Sequence, residues 1–233
     1  MKHSPVTMRR TLATLFCAAM GLAHAADPQD WAGLHHFQAD NAALAPAARQ
    51  TRRVVFMGDS ITEGWSNSKA SVFTGPQRIN RGISGQTTPQ MLLRFRQDVI
   101  ALKPRAVVIL AGTNDIAGNT GPATLEEIEG NIASMAELAR AQGIRVLLCA
   151  VLPAKRYPWA PELQPAPRIM ALNSWIKAYA AQHRLGFVDF HGPLADAEQG
   201  LGAEYSGDGV HPNDAGYAVM QGLLAPALAR TLR

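Results

Sequence analysis

Cysteine is nearly absent from this chain of 233 residues: Cys17 and Cys149 are the two it has. Cys17 lies in a leader-like segment, so the remainder holds one thiol and no internal disulfide. No apolar run reaches the roughly 20 residues that a bilayer-spanning helix needs. No Gly-x-Gly-x-x-Gly follows the first predicted strand and no Walker sequence occurs, so the usual phosphate-cradling turns of nucleotide folds are missing. Gly-x-Ser-x-Gly is missing too, which excludes the common nucleophile elbow of α/β-hydrolases. Aromatic residues make up 6% of the chain, and neither an internal repeat nor a low-complexity tract is present.

The first 25 residues read as a signal peptide. Lys2, Arg9 and Arg10 precede an apolar run from Thr11 to Leu22, and Ala23-His24-Ala25 offers small residues where a signal peptidase reads. Cleavage after Ala25 would deliver the chain to the periplasm or the exterior. Arg9-Arg10 also suits a twin-arginine signal, though a general secretory one is the simpler reading. Phe16 argues against a lipoprotein site at Cys17. The segment holds three basic and no acidic residues; taking these 3 from 22 leaves 19 basic against 18 acidic, a net charge of +1. Basicity is therefore a targeting feature, and nucleic acid is not an expected partner. The remaining residues, 26–233, suit one domain that buries a core without covalent staples.

Asp30 to Leu44 reads as an amphipathic helix, with Trp31, Leu34, Phe37 and Leu44 near helical spacing. Neighbouring His35 and His36 would point in different directions on it and make a poor metal pair. Beyond Arg52, short apolar runs alternate with longer periodic ones. Strands are predicted at Arg53–Met57, Arg78–Asn80, Ala106–Ala111, Val146–Val151 and Phe187–Asp189. Helices are predicted at Pro89–Leu102 with Thr88 as its cap, at Thr124–Gln142, at Ile169–His183 and at Pro212–Leu232. Near-continuous apolar strands between helices indicate a parallel sheet covered on both faces, a three-layer α/β/α sandwich. Ligands of such folds bind at the carboxyl ends of the strands. Each polar cluster of interest follows a predicted strand or lies in the last loop.

Three clusters carry chemistry. Ser60, in Gly58-Asp59-Ser60, follows the first strand and opens a helix. By itself it is readily a helix cap, but the same position offers a hydroxyl beside unpaired N–H groups. Asp208-Gly209-Val210-His211-Pro212 supplies the base that a serine hydroxyl needs. Imidazole suits the task because its ordinary pKa of about 6.5 lies near working pH. Asp208, three residues earlier, can fix its tautomer. The third cluster offers donors for a developing oxyanion: Gly82 after the second strand and the Asn114 amide after the third. Taken singly, each of these two is also an ordinary turn residue. Asp59 and Asp115 read as loop-bonding carboxylates, and Cys149 as a buried small hydrophobe. Asp189 and His191 complete the acidic and imidazole groups near the strand ends, without the pattern of a metal site.

Together Gly58-Asp59-Ser60, Arg81-Gly82-Ile83-Ser84-Gly85, Gly112-Thr113-Asn114-Asp115 and Asp208-Gly209-Val210-His211-Pro212 resemble, in order, the four blocks of the SGNH or GDSL hydrolases. The similarity is greatest to the branch holding platelet-activating-factor acetylhydrolase catalytic subunits and secreted bacterial acylhydrolases. It implies a flavodoxin-like sandwich and Ser60 as nucleophile, with His211 and Asp208 as its partners. It also implies an oxyanion hole from Ser60, Gly82 and Asn114, and no metal or other cofactor.

The expected activity is therefore hydrolysis of carboxylic esters, with short-chain or acetyl esters, some on carbohydrate, as substrates. A lysophospholipase- or thioesterase-type acylhydrolase and an O-acyltransferase are the alternatives, since both use the same acyl-enzyme. A small-molecule or carbohydrate ester is the expected partner, without a stable membrane anchor. The proline-rich loop 153–167 leaves the fourth strand at the edge where the clusters converge. Its Tyr157, Trp159 and Arg156 are candidates to contact the alcohol part of the substrate.

Overall fold

The computed structural model describes residues 29–44 and 52–233. The signal peptide, its cleavage point at Ala25 and Cys17 lie outside the described residues. Five parallel strands form one sheet: β1 (Val54–Gly58), β2 (Arg78–Gly82), β3 (Ala106–Leu110), β4 (Arg145–Cys149) and β5 (Gly186–Val188), in the order β2-β1-β3-β4-β5. Every residue of β1 and β3 is buried. Such strands show no polar alternation because helices cover both faces of the sheet.

Alternate residues of each strand enter separate cores. Val55, Met57, Val107 and Ile109 pack with α3 (Thr88–Asp98), α4 (Thr113–Ile116), α5 (Leu125–Ala141) and α6 (Ala166–Gln182). Val54, Phe56, Ala106 and Val108 pack with α2 (Ser60–Gly64) and α7 (Asp214–Thr231). The result is the three-layer, flavodoxin-like sandwich that the alternation of runs predicts. The period of two along each strand divides its side chains between the layers. The strand order turns back at β1, with β2 on one side and β3 to β5 on the other. The carboxyl ends of β1 and β3 therefore flank the crevice where doubly wound sheets bind ligands.

The expected helix over residues 30–44 is a correction. Only Gln38–Ala43 (α1) is α-helical, and turns precede it. The Asp30 carboxylate accepts the N–H groups of Leu34 and His35 at 2.7 and 2.8 Å, and Gly33 takes φ +67°. Both features divert the backbone from a helix. The segment is instead strapped to α3: Gln90 donates to the Trp31 carbonyl at 2.6 Å, and Gln97 donates to that of Leu34. A smaller difference concerns α3, which is capped by Thr87 with Gln90. The N–H and hydroxyl of Thr88 go to the buried Asp115 carboxylate.

Candidate active site

Ser60 is the first residue of α2 and lies two residues beyond Gly58, the carboxyl end of β1. Asp59 is the N-cap, its carboxylate accepting the Ile61 N–H at 3.0 Å. As a first-turn residue, Ser60 has no intrahelical acceptor for its N–H. Its Oγ lies 2.9 Å from Nε2 of His211. On the other side of the ring, Nδ1 of His211 lies 2.7 Å from Oδ2 of Asp208. The three residues that the sequence singles out are thus joined in one line, across 151 positions of chain.

Local structure explains the alignment. Gly209 takes φ +79°, which lets the loop turn tightly enough for Asp208 to face the ring three residues on. Oδ1 of Asp208 accepts the N–H groups of Val210 and His211 at 2.9 and 2.8 Å. Val210, 3% exposed, anchors the loop in the core. Ser206, which sequence reasoning missed, accepts the Gly209 N–H at 2.9 Å. Its hydroxyl sits 2.8 Å from the His211 carbonyl and 3.1 Å from Asp208 Oδ1. Burial raises the Asp208 pKa, but the hydrogen bonds and charge of His211 and the Val210 N–H outweigh it and hold the carboxyl at about 2. An ionised carboxylate therefore faces the imidazole. A proton leaving the Ser60 hydroxyl for Nε2 creates a charge that Asp208 stabilises.

Gly82 is a correction. Its N–H already donates to Oδ1 of Asn80 at 2.8 Å, and its Cα is pressed against α2. Nδ2 of Asn80 donates to the Thr62 carbonyl at 2.8 Å and to Ser66, so the amide is fixed and its oxygen stays on Gly82. Three residues on, Gly85 has φ +77° in an open turn, and its N–H donates to no group among the described residues. Asn114, 3% exposed, follows β3: one Nδ2 hydrogen goes to the Gln86 carbonyl at 3.0 Å, leaving the second available. The Asn114 bond holds the carbonyl of Gln86, the residue after Gly85. The structure thus pairs Asn114 with the Gly85 turn rather than with Gly82.

Tyr157, expected to contact the substrate, is a further correction. It is 0% exposed, with its hydroxyl 2.9 Å from Oγ1 of Thr113 and donated to the Thr113 carbonyl at 3.1 Å. Those bonds support the backbone beside Asn114 and leave no face for a ligand. Its loop neighbour Trp159 stacks on it at 5.2 Å, is 46% exposed, and lies 6.2 Å from the His211 ring. Arg156 is exposed in the same loop. Cys149 is buried and desolvation raises its thiol pKa, so it is an inert core residue. Asp189 accepts the N–H groups of His191 and Gly192. No group of three or more His, Cys, Asp or Glu side chains able to hold a metal occurs among the described residues.

A flavodoxin-like sheet whose carboxyl edge presents a hydroxyl, an imidazole and a carboxylate in sequence defines the class of carboxylic ester hydrolases. The chain belongs to the GDSL-like lipase/acylhydrolase family, whose model matches residues 56–219. It is 34% identical over 179 residues to esterase TesA of Pseudomonas aeruginosa, spanning 71% of this chain and 81% of that protein. A solved GDSL-like lipase of Bacteroides thetaiotaomicron is 47% identical, covers 85% of this chain and 98% of its own, and superposes with a TM-score of 0.82. An acetylxylan esterase of Xylanibacter ruminicola is 26% identical over 212 residues, 76% of this chain and 43% of that protein.

Proposed function

We propose that the protein is an exported serine esterase that hydrolyses short-chain or acetyl esters, including those on carbohydrate, through an acyl-enzyme on Ser60. The observation that carries this reading is the line of short contacts from Ser60 Oγ to His211 Nε2 at 2.9 Å and from His211 Nδ1 to Asp208 Oδ2 at 2.7 Å. Ser60 Oγ attacks the ester carbonyl carbon while Nε2 of His211 takes its proton. The oxyanion is received by the N–H groups of Ser60 and Gly85 and the free Nδ2 hydrogen of Asn114. Collapse breaks the ester C–O bond, and His211 returns the proton to the leaving alcohol. Water then attacks the acyl-enzyme, with His211 again accepting a proton, and frees the acid.

The exposed face of Trp159 beside His211 supports a substrate whose alcohol part is a sugar ring or a similar compact group. The similarity to an acetylxylan esterase is in keeping with that reading. Rates on p-nitrophenyl esters of increasing chain length, beside an acetylated sugar, separate it from a lysophospholipase- or thioesterase-type activity. Adding acceptor alcohols tests for acyl transfer. Ser60→Ala should abolish both hydrolysis and fluorophosphonate labelling while leaving the melting temperature unchanged. Hydrolysis at the wild-type rate would overturn the assignment. Export follows from residues 1–25, and N-terminal sequencing of the mature protein, expected to begin at Ala26, tests it.

A further inference from the structure

We propose that Asn119 is a positioning residue that holds the oxyanion turn and the alcohol-side wall of the site in one fixed relation. This inference rests on the roles given above to Ser60, Gly85 and Trp159. Oδ1 of Asn119 accepts the indole N–H of Trp159 at 3.2 Å, and Nδ2 donates to the Gly85 carbonyl at 3.1 Å. The orientation of the amide follows from its partners, since an indole can only donate and a carbonyl can only accept. Its own backbone N–H donates to the Asn114 carbonyl at 3.0 Å. One residue is therefore bonded to the loop that walls the site, to the turn that carries a free N–H, and to the residue that supplies the amide donor.

The consequence for the Gly85 N–H is geometric. The peptide between Gly85 and Gln86 is clamped at both ends: its oxygen by Asn119, and its nitrogen by donation to the Ile83 carbonyl at 3.3 Å. Only the two backbone angles of Gly85, its φ at +77° and its ψ, separate that clamped plane from the peptide that carries the Gly85 N–H. Releasing the Gly85 carbonyl lets these angles drift, in a residue that has little steric restraint of its own. Trp159 is held differently. Stacking on Tyr157 sets the plane of its ring, and the bond to Asn119 fixes its rotation in that plane. Asn119 itself sits between Gly118 at φ +76° and Gly121 at φ +104°, which shape the turn that projects it. It is exposed, so its bonds compete with water and contribute little to stability. Its effect belongs to geometry, and to the transition state more than the ground state.

Three variants of the full mature protein test this: Asn119→Ala, Asn119→Asp and Trp159→Phe. The substrates are p-nitrophenyl acetate, whose leaving group is small and activated, and glucose pentaacetate. Asn119→Ala should lower kcat on p-nitrophenyl acetate about fivefold, the share of one net hydrogen bond. It should also raise KM for glucose pentaacetate and shift the emission assigned to Trp159 by difference from Trp159→Phe. The melting temperature should stay within about 2 °C of wild type. Asn119→Asp keeps an acceptor for the indole but cannot donate to Gly85. It should preserve the Trp159 emission while losing turnover at least as far as the alanine variant. Trp159→Phe should alter KM for the sugar ester and supplies the reference for the Trp159 emission. Unchanged kcat in Asn119→Ala, or a loss matched by a fall in melting temperature, would overturn the proposal. Failure of the nucleophile assignment is a separate result, because it appears as residual hydrolysis in Ser60→Ala while the Trp159 emission is read without turnover.

Discussion

Asp59 and Asp208 are both carboxylates near His211, yet their surroundings drive them in opposite directions. Burial pushes Asp59 up to about 6, with Asp115 adding repulsion, while the Ile61 N–H and the charge of His211 pull the other way. Asp208, solvated on one side and bonded to His211, is held at about 2. The signs for stability follow. Asp59 is raised when folded, so its contribution is complete below its ordinary 3.8 and is lost as pH rises through about 6. Asp208 is depressed, so its contribution holds above about 4 and is lost as pH falls toward 2. For Asp59 the change is about 3 kcal/mol, two units at ~1.36 kcal/mol each. Asp59→Asn keeps an oxygen for the Ile61 N–H and removes the titration. Denaturant unfolding at intervals from pH 4 to 7 should show the variant gaining on wild type by up to about 3 kcal/mol toward neutral pH. Parallel curves would mean that Asp59 ionises without cost. The string Gly58-Asp59-Ser60 marked the break after the first strand, but it offered Ser60 rather than Asp59 as the cap, and the pKa of Asp59 depends on layers folded over it from distant sequence.

At the scale of elements, the end of β2 and the turn after it divide two glycines between packing and chemistry. A Cβ on Gly82 would meet the Glu63 nitrogen at 2.3 Å and the Asp59 carbonyl oxygen at 2.7 Å, so α2 would have to move. A Cβ on Gly85 would meet nothing closer than 3.9 Å, although φ +77° is strained for alanine by about 1–2 kcal/mol. Gly82→Ala should therefore fold poorly, with a large drop in melting temperature. Gly85→Ala should fold with a modest drop and lose turnover as the N–H rotates away. Equal thermal losses with equal residual activity would remove the distinction. Strand and helix positions were legible because apolar runs and caps are local signals, as with Thr124 and Glu127 at the start of α5. Which glycine keeps an N–H without a partner among the described residues was not legible, because it depends on an Asn80 side chain fixed by α2. The periodicity of residues 30–44 misled for a similar reason: carbonyls captured by Gln90 and Gln97 of α3 replace helical bonds there.

Across the whole molecule, Arg94 connects the strap of residues 30–37 to the sheet edge that bears Ser60. It is 0% exposed and donates to Asp98 at 3.0 Å, to Gln86 Oε1 at 2.6 Å, and to the carbonyls of Gly58 and Arg81 at 3.1 and 2.8 Å. Gly58 and Arg81 lie at the carboxyl ends of β1 and β2, and Gly58 stands two residues before Ser60. Asp98 in turn accepts from Asn41 at 2.7 Å, and Gln86 donates to the Ala32 carbonyl at 2.8 Å, which draws the strap into the same network. Burial lowers the guanidinium to about 10, opposed by the charge and hydrogen bond of Asp98, so it remains charged at neutral pH. None of this is visible in sequence, where Arg94 reads as one basic residue on an amphipathic helix. Arg94→Met leaves Asp98 buried with Asn41 as its one hydrogen-bond partner among the described residues, and should cost about 3–5 kcal/mol, the usual penalty of breaking a buried pair. Pairing it with Asp98→Leu removes the stranded charge, so the double variant should recover part of that loss in denaturant unfolding. Turnover should remain low in both, because neither restores the bonds to the Gly58 and Arg81 carbonyls that fix the strand ends. Recovery of stability together with wild-type kcat would show Arg94 to be a packing residue alone, whereas stability without activity identifies it as the tie between core and active-site edge.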